Sequence, residues 1–243
     1  MNSTTIDRTA IEQLVRQAIR GAGSPLASAP VATTSPGQPL GWVDGKPNLR
    51  VSISARHCHL TDADVETLFG AGAVLEPEKD LYQDGFYAAK QTVMVVGPRR
   101  RMLPSVRVLG PTRGASQVEL ALTDSISLGI DAPVRHSGKI DGTPGCVLVG
   151  PAGTVELKQG VIRAARHVHM NLDDAAHYGV DDGDLMQLVV KSHDCGVTFD
   201  DVLVRADKAA KLEVHIDTDE GNACNLDQAS EISLRKSSCA CQS

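Results

Sequence analysis

The sequence predicts a mainly β fold of barrel-like sheets capped by short α-helices, and it predicts that this fold contains a duplicated half. Many short, Val-rich segments are bounded by Gly, Pro, Asp or Asn, which is the pattern of strands joined by turns. The motif Ala-Arg-His-x-His occurs twice, at residues 55–59 and 165–169. Each copy follows a strand-like segment and precedes an acidic helix start, so the two copies indicate an internal repeat.

From residue 49 onwards, predicted strands and turns alternate, with few long helical patterns between them. The segments with the strand pattern are 49–55, 91–97, 105–111, 116–122, 146–157, 185–190, 197–206 and 211–217. Two short helices are predicted, one over residues 61–70 with Thr61 and Asp62 at its start, and one over residues 171–178 with Asn171 at its start.

Ahead of these strands, residues 5–20 predict an amphipathic helix that is followed by a linker. Apolar side chains recur at spacings of three and four and form one stripe, while Arg, Glu and Gln occupy the other face. Residues 23–47 are rich in Ser, Ala, Pro, Thr and Gly, a composition that predicts a flexible linker. The helix is expected to dock on a partner surface, or to pack on its own domain or on a sister subunit.

Composition and charge exclude several classes of protein. The formal net charge is −6 and the sequence shows no basic face, so nucleic acid is not expected as a partner. No apolar run approaches the ~20 residues of a membrane span, and the N-terminus lacks a secretory signal, so an intracellular protein is expected. The six cysteines form no CxxC pair and are expected to be thiols, two of them (Cys239 and Cys241) in a polar tail at residues 235–243.

The repeated motif places two histidines two residues apart, a spacing that presents both imidazoles on one side of a strand. One pair is His57 and His59, and the other is His167 and His169. Imidazole pairs suit zinc, copper, iron, cobalt or nickel, so two matched pairs favour metal sites over incidental histidines. His215, in a strand ahead of an acidic turn, is a candidate third ligand. The remaining histidines lack such a context and are expected on the surface: His136, His177 and His193.

Two further residues have a context that leaves their roles open. Glu119 alternates with apolar Val118 and Leu120, so its carboxylate faces either water or a ligand. Arg113 lies in a Gly/Pro loop before that strand, where a guanidinium is either exposed to solvent or a bidentate donor to phosphate.

Long blocks of the chain resemble the PduL-type phosphate propanoyltransferases, or phosphotransacylases, of bacterial microcompartments. The blocks occur in order over roughly residues 49–227 and are ISARHCHLTDADVETLFG, VRVLGPTRGASQVELALTDSISLGIDAPVRHSG, GCVLVGPAGTVELKQGVIRAARHVHM and LEVHIDTDEGNA. The resemblance implies two β-barrel domains, one formed by residues 48–56 with 164–234 and the other by residues 57–163. It also implies that residues 1–22 are an encapsulation peptide, which would contact microcompartment shell or cargo proteins through residues 5–20.

The resemblance further implies a site with two zinc ions per chain. The matching ligand positions are His57, His59 and Glu119 for the first zinc and His167, His169 and His215 for the second. The sulfur of coenzyme A would fill an open position at the first zinc. Arg113 and Ser137 match catalytic positions of a phosphate pocket, and Lys79 and Gln83 match further pocket positions for coenzyme A.

The implied reaction is acyl-CoA + phosphate = acyl phosphate + CoA, with a propanoyl or acetyl group. Direct attack by phosphate is expected, because no Cys–His or Ser–His pair has a supporting context and strand alternation points Cys58 away from the ligands on either side. The resemblance places the enzyme in a microcompartment lumen within the cytoplasm, associates it with propanediol degradation and implies a homo-oligomer.

Two other functions remain compatible with the histidine motifs. A cupin-like mononuclear metal enzyme also uses His-x-His, Glu and His from strands, but it requires neither the duplicated motif nor the Arg113 loop. A non-catalytic metal-binding component of a microcompartment would hold a structural metal, which is normally closed by four protein ligands.

Overall fold

The structure of the protein is a computed structural model that describes residues 42–43 and 45–237. The predicted amphipathic helix, most of the predicted linker and most of the predicted polar tail therefore lie outside the described residues. All described residues belong to one compact unit.

Short strands dominate the described chain, as predicted. In chain order they are β1 (Trp42–Val43), β2 (Lys46–Pro47), β3 (Arg50–Ser54), β4 (His57–His59), β5 (Pro77–Asp80), β6 (Tyr87–Val96), β7 (Met102–Gly110), β8 (Gln117–Glu119), β9 (Val134–Arg135), β10 (Cys146–Val149), β11 (Thr154–Leu157), β12 (Val161–Ala164), β13 (His167–Met170), β14 (Leu185–Ser192), β15 (Val197–Ala206), β16 (Glu213–Asp217) and β17 (Ala229–Lys236). The helices are α1 (Asp62–Phe69), α2 (Leu122–Leu128), α3 (Leu172–Tyr178) and α4 (Thr218–Ala223), with a 3₁₀ turn at Leu226–Gln228.

The strands form two large curled sheets and one short hairpin. In the nine-stranded sheet the order is β11-β10-β6-β7-β4-β8-β12-β9, and β5 pairs with β6. In the six-stranded sheet the order is β17-β14-β15-β13-β16-β3. The prediction of a mainly β fold with short helices is confirmed, while the exact domain boundaries stay a prediction.

The chain passes from one sheet to the other at the Ala-Arg of each repeated motif. Strand β3 lies in the six-stranded sheet, yet β4, which follows Ala55-Arg56, lies in the nine-stranded sheet. Strand β12 lies in the nine-stranded sheet, yet β13, which follows Ala165-Arg166, lies in the six-stranded sheet. The two halves therefore exchange the strand that precedes each His-x-His.

This exchange gives two central strands one neighbour from each half. Strand β8 pairs antiparallel with β4 and lies beside parallel β12, and β16 pairs antiparallel with β13 and lies beside parallel β3. Central strands of this kind are held on both edges by backbone hydrogen bonds, so the side chains that they carry are fixed in position.

Each large sheet covers its own hydrophobic core. Cys58, Val118 and Leu148 are fully buried in the first core, and Val168 and Leu188 in the second. The chain has only 3% aromatic residues, so these cores are filled mainly by branched aliphatic side chains. Fully burying one such side chain contributes about 1.5–3 kcal/mol, which lets short strands form a stable sheet.

Both predicted helices are present and each directly follows a His-x-His strand. Thr61 caps α1 by accepting from the backbone N–H of Asp64 at 3.1 Å. Asn171 caps α3 in a capping box with Asp174. The expectation of only two small helices was wrong, because α2 and α4 also form. Helix α2 begins after Ala121, which makes no side-chain cap, and α4 has six residues, too few for an apolar period to show in the sequence.

The end of the predicted linker forms an ordered hairpin in the described chain. Strand β1 pairs with β2, and the indole Nε1 of Trp42 donates to Oδ1 of Asp174 at 2.8 Å. The Trp42 ring also meets the edge of His177. These contacts attach the hairpin to α3. The hairpin is therefore ordered, although its composition predicted a flexible linker.

At the C-terminal end of the chain, β17 pairs along its length with β14 up to Lys236, two residues into the predicted polar tail. Among the described residues, no helix combines the length and the apolar character that crossing a membrane requires.

Candidate metal and anion site

The first candidate metal group forms where β4 pairs with β8. His57 lies opposite Glu119, and His59 lies opposite Gln117, so the side chains share one face. Glu119 Oε2 lies 3.4 Å from His57 Nε2, and Glu119 Oε1 lies 3.9 Å from His59 Nε2. Glu119 is only 7% exposed, so the structure settles the choice left open by the sequence: its carboxylate faces the histidines, not water.

The second candidate group forms in the same way where β13 pairs with β16. His167 lies opposite His215, and the two rings stack with centroids 4.9 Å apart. His169 meets the edges of both rings at 5.0 and 5.3 Å. Glu119 and His215 therefore occupy equivalent positions in the two halves, each directly across the ladder from the first histidine of a motif.

Backbone carbonyls fix the orientation of one histidine in each group. Nδ1 of His57 lies 2.8 Å from the carbonyl of Ala55, and Nδ1 of His167 lies 2.9 Å from the carbonyl of Ala165. A carbonyl can only accept, so Nδ1 carries a proton, and in the neutral imidazole the lone pair lies on Nε2. Hydrogen bonds of this kind orient ligand histidines in metal sites.

Electrostatics at the first group favours an ionised glutamate. Burial alone would raise the pKa of Glu119, but His57 and His59 outweigh burial and hold the pKa well below its usual range. Burial lowers the pKa of His57, but Glu119 outweighs it and the net shift is upward. Burial lowers the pKa of His59 to about 3, and the charges of His57 and Arg113 act in the same direction.

In the second group, the electrostatics favours neutral imidazoles. Burial lowers the pKa of His167 to about 3, with Arg205 and His215 adding to the shift. Burial and the charge of His215 lower the pKa of His169 to about 4. A neutral imidazole offers a lone pair at neutral pH, which is the state that binds a transition metal.

Both groups fit a zinc ion by their donors. In each group the three candidate ligand atoms all lie within 4.8 Å of one another. Imidazole nitrogen and carboxylate oxygen are ordinary zinc ligands, and three protein donors match a catalytic site that keeps a position for substrate. Glu119 of the first group and His167 and His215 of the second line one small cavity, so the two groups lie close to each other.

An anion-binding candidate, Arg113, is joined to the first group by hydrogen bonds. Arg113 Nη1 donates to Ser137 Oγ at 3.0 Å, and Ser137 Oγ donates to Glu119 Oε1 at 2.9 Å. Gln117 Nε2 donates to the same carboxylate oxygen at 2.6 Å and to Ser137 Oγ at 2.9 Å. The structure thus brings Arg113 and Ser137 together beside the candidate zinc ligands.

Gln83 and Lys79, the candidate contacts to coenzyme A, have very different surroundings. The amide of Gln83 donates to the carbonyl of Lys211 at 2.8 Å and to Glu213 Oε2 at 2.9 Å, and it accepts from the Lys211 N–H at 3.0 Å. Gln83 therefore fastens the loop after β5 to the strand of His215. Lys79 is exposed on β5, and the roles of both residues toward coenzyme A stay predictions.

Several polar residues at the site carry no signal in the sequence. Gln117 and Glu213 lie opposite the second histidine of each motif, in equivalent positions. Glu213 Oε1 accepts from Ser52 Oγ at 2.6 Å, and Glu213 Oε2 lies 3.2 Å from His215 Nε2. Burial would raise the pKa of Glu213, but these partners lower it to about 2. Only the strand register, which the sequence does not show, places them here.

The arginine of each motif holds the helix that follows the third candidate ligand of one group, Glu119 or His215. Arg56 Nη1 lies 2.9 Å from Asp124 Oδ1 in α2, and Arg166 Nε lies 3.0 Å from Glu220 Oε1 in α4. Each acidic partner comes five residues after the third ligand of its group. The duplication therefore includes an ion pair that fixes each third-ligand strand relative to its His-x-His strand.

The remaining cysteine and histidine predictions can be compared directly with the structure. Cys58 is fully buried in the first core, and burial raises the pKa of its thiol, so it is no candidate nucleophile. The histidines predicted to lie on the surface are exposed and outside both groups: His136, His177 and His193.

A family profile and several similar proteins all carry the same family name. The sequence profile of one family, phosphate propanoyltransferase, matches residues 50–227. A phosphate propanoyltransferase of Planctopirus limnophila is 59% identical over 240 residues, 98% of this chain and 96% of that protein. Proteins of the same name from Thermotoga maritima and Salmonella typhimurium are 50% and 46% identical, over 74% and 73% of this chain and 86% and 83% of their own lengths.

Proposed function

The chain belongs to the phosphate propanoyltransferase family, and we propose on that basis that it transfers a short acyl group between coenzyme A and inorganic phosphate at a site completed by two zinc ions. Family membership makes it an acyltransferase enzyme. The observation that carries the finer proposal is the presence of two neighbouring three-donor groups, with Arg113 hydrogen-bonded through Ser137 to the first of them.

In the proposed reaction, an oxygen of inorganic phosphate attacks the thioester carbonyl carbon. The C–S bond then breaks, and the sulfur leaves with the electron pair as the coenzyme A thiolate. Arg113, oriented by Ser137, would hold the phosphate near the carbonyl and so supply proximity. Ser137 and Gln117 would hold Glu119 in position by their hydrogen bonds.

The zinc ligands in this proposal are the residues of the two groups: His57, His59 and Glu119, and His167, His169 and His215. Bound zinc would supply Lewis-acid stabilisation of the charge that develops on the carbonyl oxygen and on the leaving sulfur. The buried thiol of Cys58 and the absence of a serine–histidine hydrogen bond among the described residues favour direct transfer over an acyl-enzyme.

Two observations argue against the alternative functions, a cupin-like enzyme and a non-catalytic metal-binding protein. A mononuclear cupin-like enzyme needs one donor group, whereas this chain has two equivalent ones. A structural metal is normally closed by four protein ligands, whereas each group offers three among the described residues.

The proposed setting is the lumen of a bacterial microcompartment in the cytoplasm, as a homo-oligomer that residues 5–20 attach to shell or cargo proteins. The alignment with the Planctopirus limnophila protein covers 98% of the chain and so includes most of that segment. The proposed substrates are propanoyl-CoA or acetyl-CoA, because a single methylene contributes only ~1–3 kcal/mol to discrimination. Lys79 and Gln83 are proposed to contact coenzyme A.

The test is coenzyme A release from propanoyl-CoA, measured with and without phosphate and before and after zinc chelation. Release that requires phosphate, stops on chelation and returns with zinc is expected. His169→Ala should lose activity and metal, while His193→Ala, a matched change at a side chain that is 92% exposed, should lose neither. Release that is indifferent to phosphate would rule out the proposed function.

A further inference from the structure

We propose that Arg205 is a second phosphate-binding residue, which holds the transferred phosphate group together with Arg113. This inference rests on the proposed function and extends its phosphate site to the second half of the molecule. The first half contributes Arg113 from the loop before β8, and the second half contributes Arg205 from β15.

The strand register places Arg205 at the site. Strand β15 runs parallel to β13, and Arg205 is the partner of His169 in that ladder. Partners in neighbouring strands project from the same face of a sheet, so the Arg205 side chain lies on the face that carries His167 and His169. Its charge acts on both of these histidines and on Arg113. Burial lowers the pKa of Arg113 most, Glu119 opposes this shift, and Arg205 adds to it.

Arg205 is half-buried, yet its guanidinium has no hydrogen bond or ion pair among the residues that the structure describes. Two other half-buried arginines of this region are partnered, since Arg163 donates to the carbonyl of Ala132 and Arg166 pairs with Glu220. Withdrawing a guanidinium from water without a partner is costly, so an unpartnered one at a site is suited to an anionic ligand.

Neither carboxylate that acts electrostatically on Arg205, Glu119 or Asp182, forms an ion pair with it among the described residues, and Asp182 accepts a hydrogen bond from the Ala206 N–H. Glu119 acts on both Arg113 and Arg205 electrostatically, but its oxygens face His57 and His59 and accept hydrogen bonds from Gln117 and Ser137. Two guanidiniums that repel each other can both be stabilised by one dianion that contacts both. Inorganic phosphate has that charge, and its oxygens can accept from both arginines.

In the reaction as proposed, both arginines only donate hydrogen bonds. The phosphate oxygen forms the new bond to the carbonyl carbon, the sulfur departs with the electron pair, and neither guanidinium gains or loses a proton. Arg205 would therefore bind phosphate before attack and the phosphoryl group of the acyl phosphate afterwards, so its removal should affect both directions of the reaction.

Phosphate groups could reach Arg205 from a second source, the phosphates of coenzyme A itself. The test separates the two sources by determining the KM for phosphate and the KM for propanoyl-CoA independently in Arg205→Ala, Arg205→Lys and the wild type. Arg101→Ala is the matched control, because Arg101 is exposed in the turn between β6 and β7. Zinc content is measured for every variant.

A binding measurement that needs no turnover accompanies the kinetics. Inorganic phosphate that binds the folded enzyme raises its melting temperature, and the rise reports affinity. The shift is measured with and without zinc, against chloride at equal ionic strength. The wild type and Arg101→Ala should be stabilised by phosphate, and Arg205→Ala should lose most of this stabilisation.

For Arg205→Ala, we expect the phosphate KM to rise about 10-fold to 100-fold, the typical effect of losing one charge-assisted hydrogen bond. The propanoyl-CoA KM should change less than about 2-fold and the zinc content should not change. Arg205→Lys should fall between the wild type and Arg205→Ala, because lysine keeps the charge but not the planar fork.

Three results would overturn the inference. They are an unchanged phosphate KM, a rise confined to the KM for propanoyl-CoA, and equal rises in both KM values with a lower melting temperature in the absence of phosphate. A wild type that releases coenzyme A without needing phosphate would instead refute the proposed function. In that case the melting-temperature shifts still decide whether Arg205 binds phosphate.

Discussion

Ser137→Ala is the change that most directly tests how Arg113, the proposed phosphate-binding residue, is connected to the candidate metal ligand Glu119. The Ser137 hydroxyl accepts from Arg113 at 3.0 Å and from Gln117 at 2.9 Å, and it donates to Glu119 at 2.9 Å. A hydroxyl has one proton and two lone pairs, so all of its hydrogen-bonding capacity is used. The alanine variant keeps the Cβ and loses all three bonds.

The stability that Ser137→Ala loses depends on which hydrogen bonds remain for Glu119, Gln117 and Arg113. Glu119 keeps its bond from Gln117 at 2.6 Å, and Gln117 keeps its bond from the Gly138 N–H at 2.8 Å. Arg113 loses its only side-chain hydrogen bond among the described residues, although its half-buried guanidinium can recover water. We therefore expect the loss of about one charge-assisted hydrogen bond, ~1.5–3 kcal/mol of stability.

For a chain of this length, that loss corresponds to a melting temperature lower by about 3–12 °C. An Arg113 that is free to rotate would also place phosphate poorly, so kcat/KM for phosphate should fall about 10-fold to 100-fold. Calorimetry and steady-state kinetics measure the two effects, with zinc content determined in parallel.

Ser137→Thr provides the matched control because it keeps the hydroxyl and should retain most activity. Ser230→Ala removes an exposed hydroxyl that donates to the carbonyl of Lys191, far from the site, and should leave kcat/KM unchanged. If Ser137→Ala kept full activity with phosphate, the idea that Ser137 orients Arg113 would be refuted.

Three other changes give independent tests. Replacing the third candidate ligand of either group, by Glu119→Gln or by His215→Ala, should lower the zinc content from two ions per chain to about one, as measured by elemental analysis. A chain that kept both ions would show that the replaced residue is not a ligand. The metal-free enzyme should lose stability as the pH falls below 6.5, because His169 has a pKa of about 4 when folded and an ordinary value of 6.5 when unfolded, so the unfolded chain binds more protons in this range. The dependence of the denaturation midpoint on pH should be shallower in His169→Gln, and an unchanged slope would contradict the burial argument. Deleting residues 1–22 should preserve acyl transfer but abolish co-purification with intact shells, and shells that still carried the truncated enzyme would refute a role in encapsulation.

The features that could be predicted from the sequence are those that depend on local periodicity. The period-2 pattern around Val118 and Val204 identifies strands, and the i, i+2 spacing of His57 and His59 identifies a shared face, whatever the sheet order is. Capping residues such as Asn171 similarly mark a helix start in the chain itself.

The features that could not be predicted depend on which strands become neighbours. Arg205 has the sequence context of an ordinary strand residue, and only its register with His169 brings it to the site. The same holds for Glu213, which meets Ser52 only because β16 pairs with β3, and His169 only because β16 pairs with β13. Helix α2 was missed because its cap, Ala121, offers no side chain that marks a helix start.

The exchange of strands between the halves also determines the order in which the two sheets can form during synthesis. Every strand of the nine-stranded sheet has left the ribosome once residue 164 emerges, so the group of His57, His59 and Glu119 can assemble early. Strand β3 must wait for β16, since the Ser52 hydroxyl meets Glu213, 161 residues later. At about 5–20 residues per second, this wait lasts roughly 8–30 s, during which β3 lacks the strand that it pairs with in the folded chain. The second group, which needs His215, is therefore completed only after the first group has all of its residues.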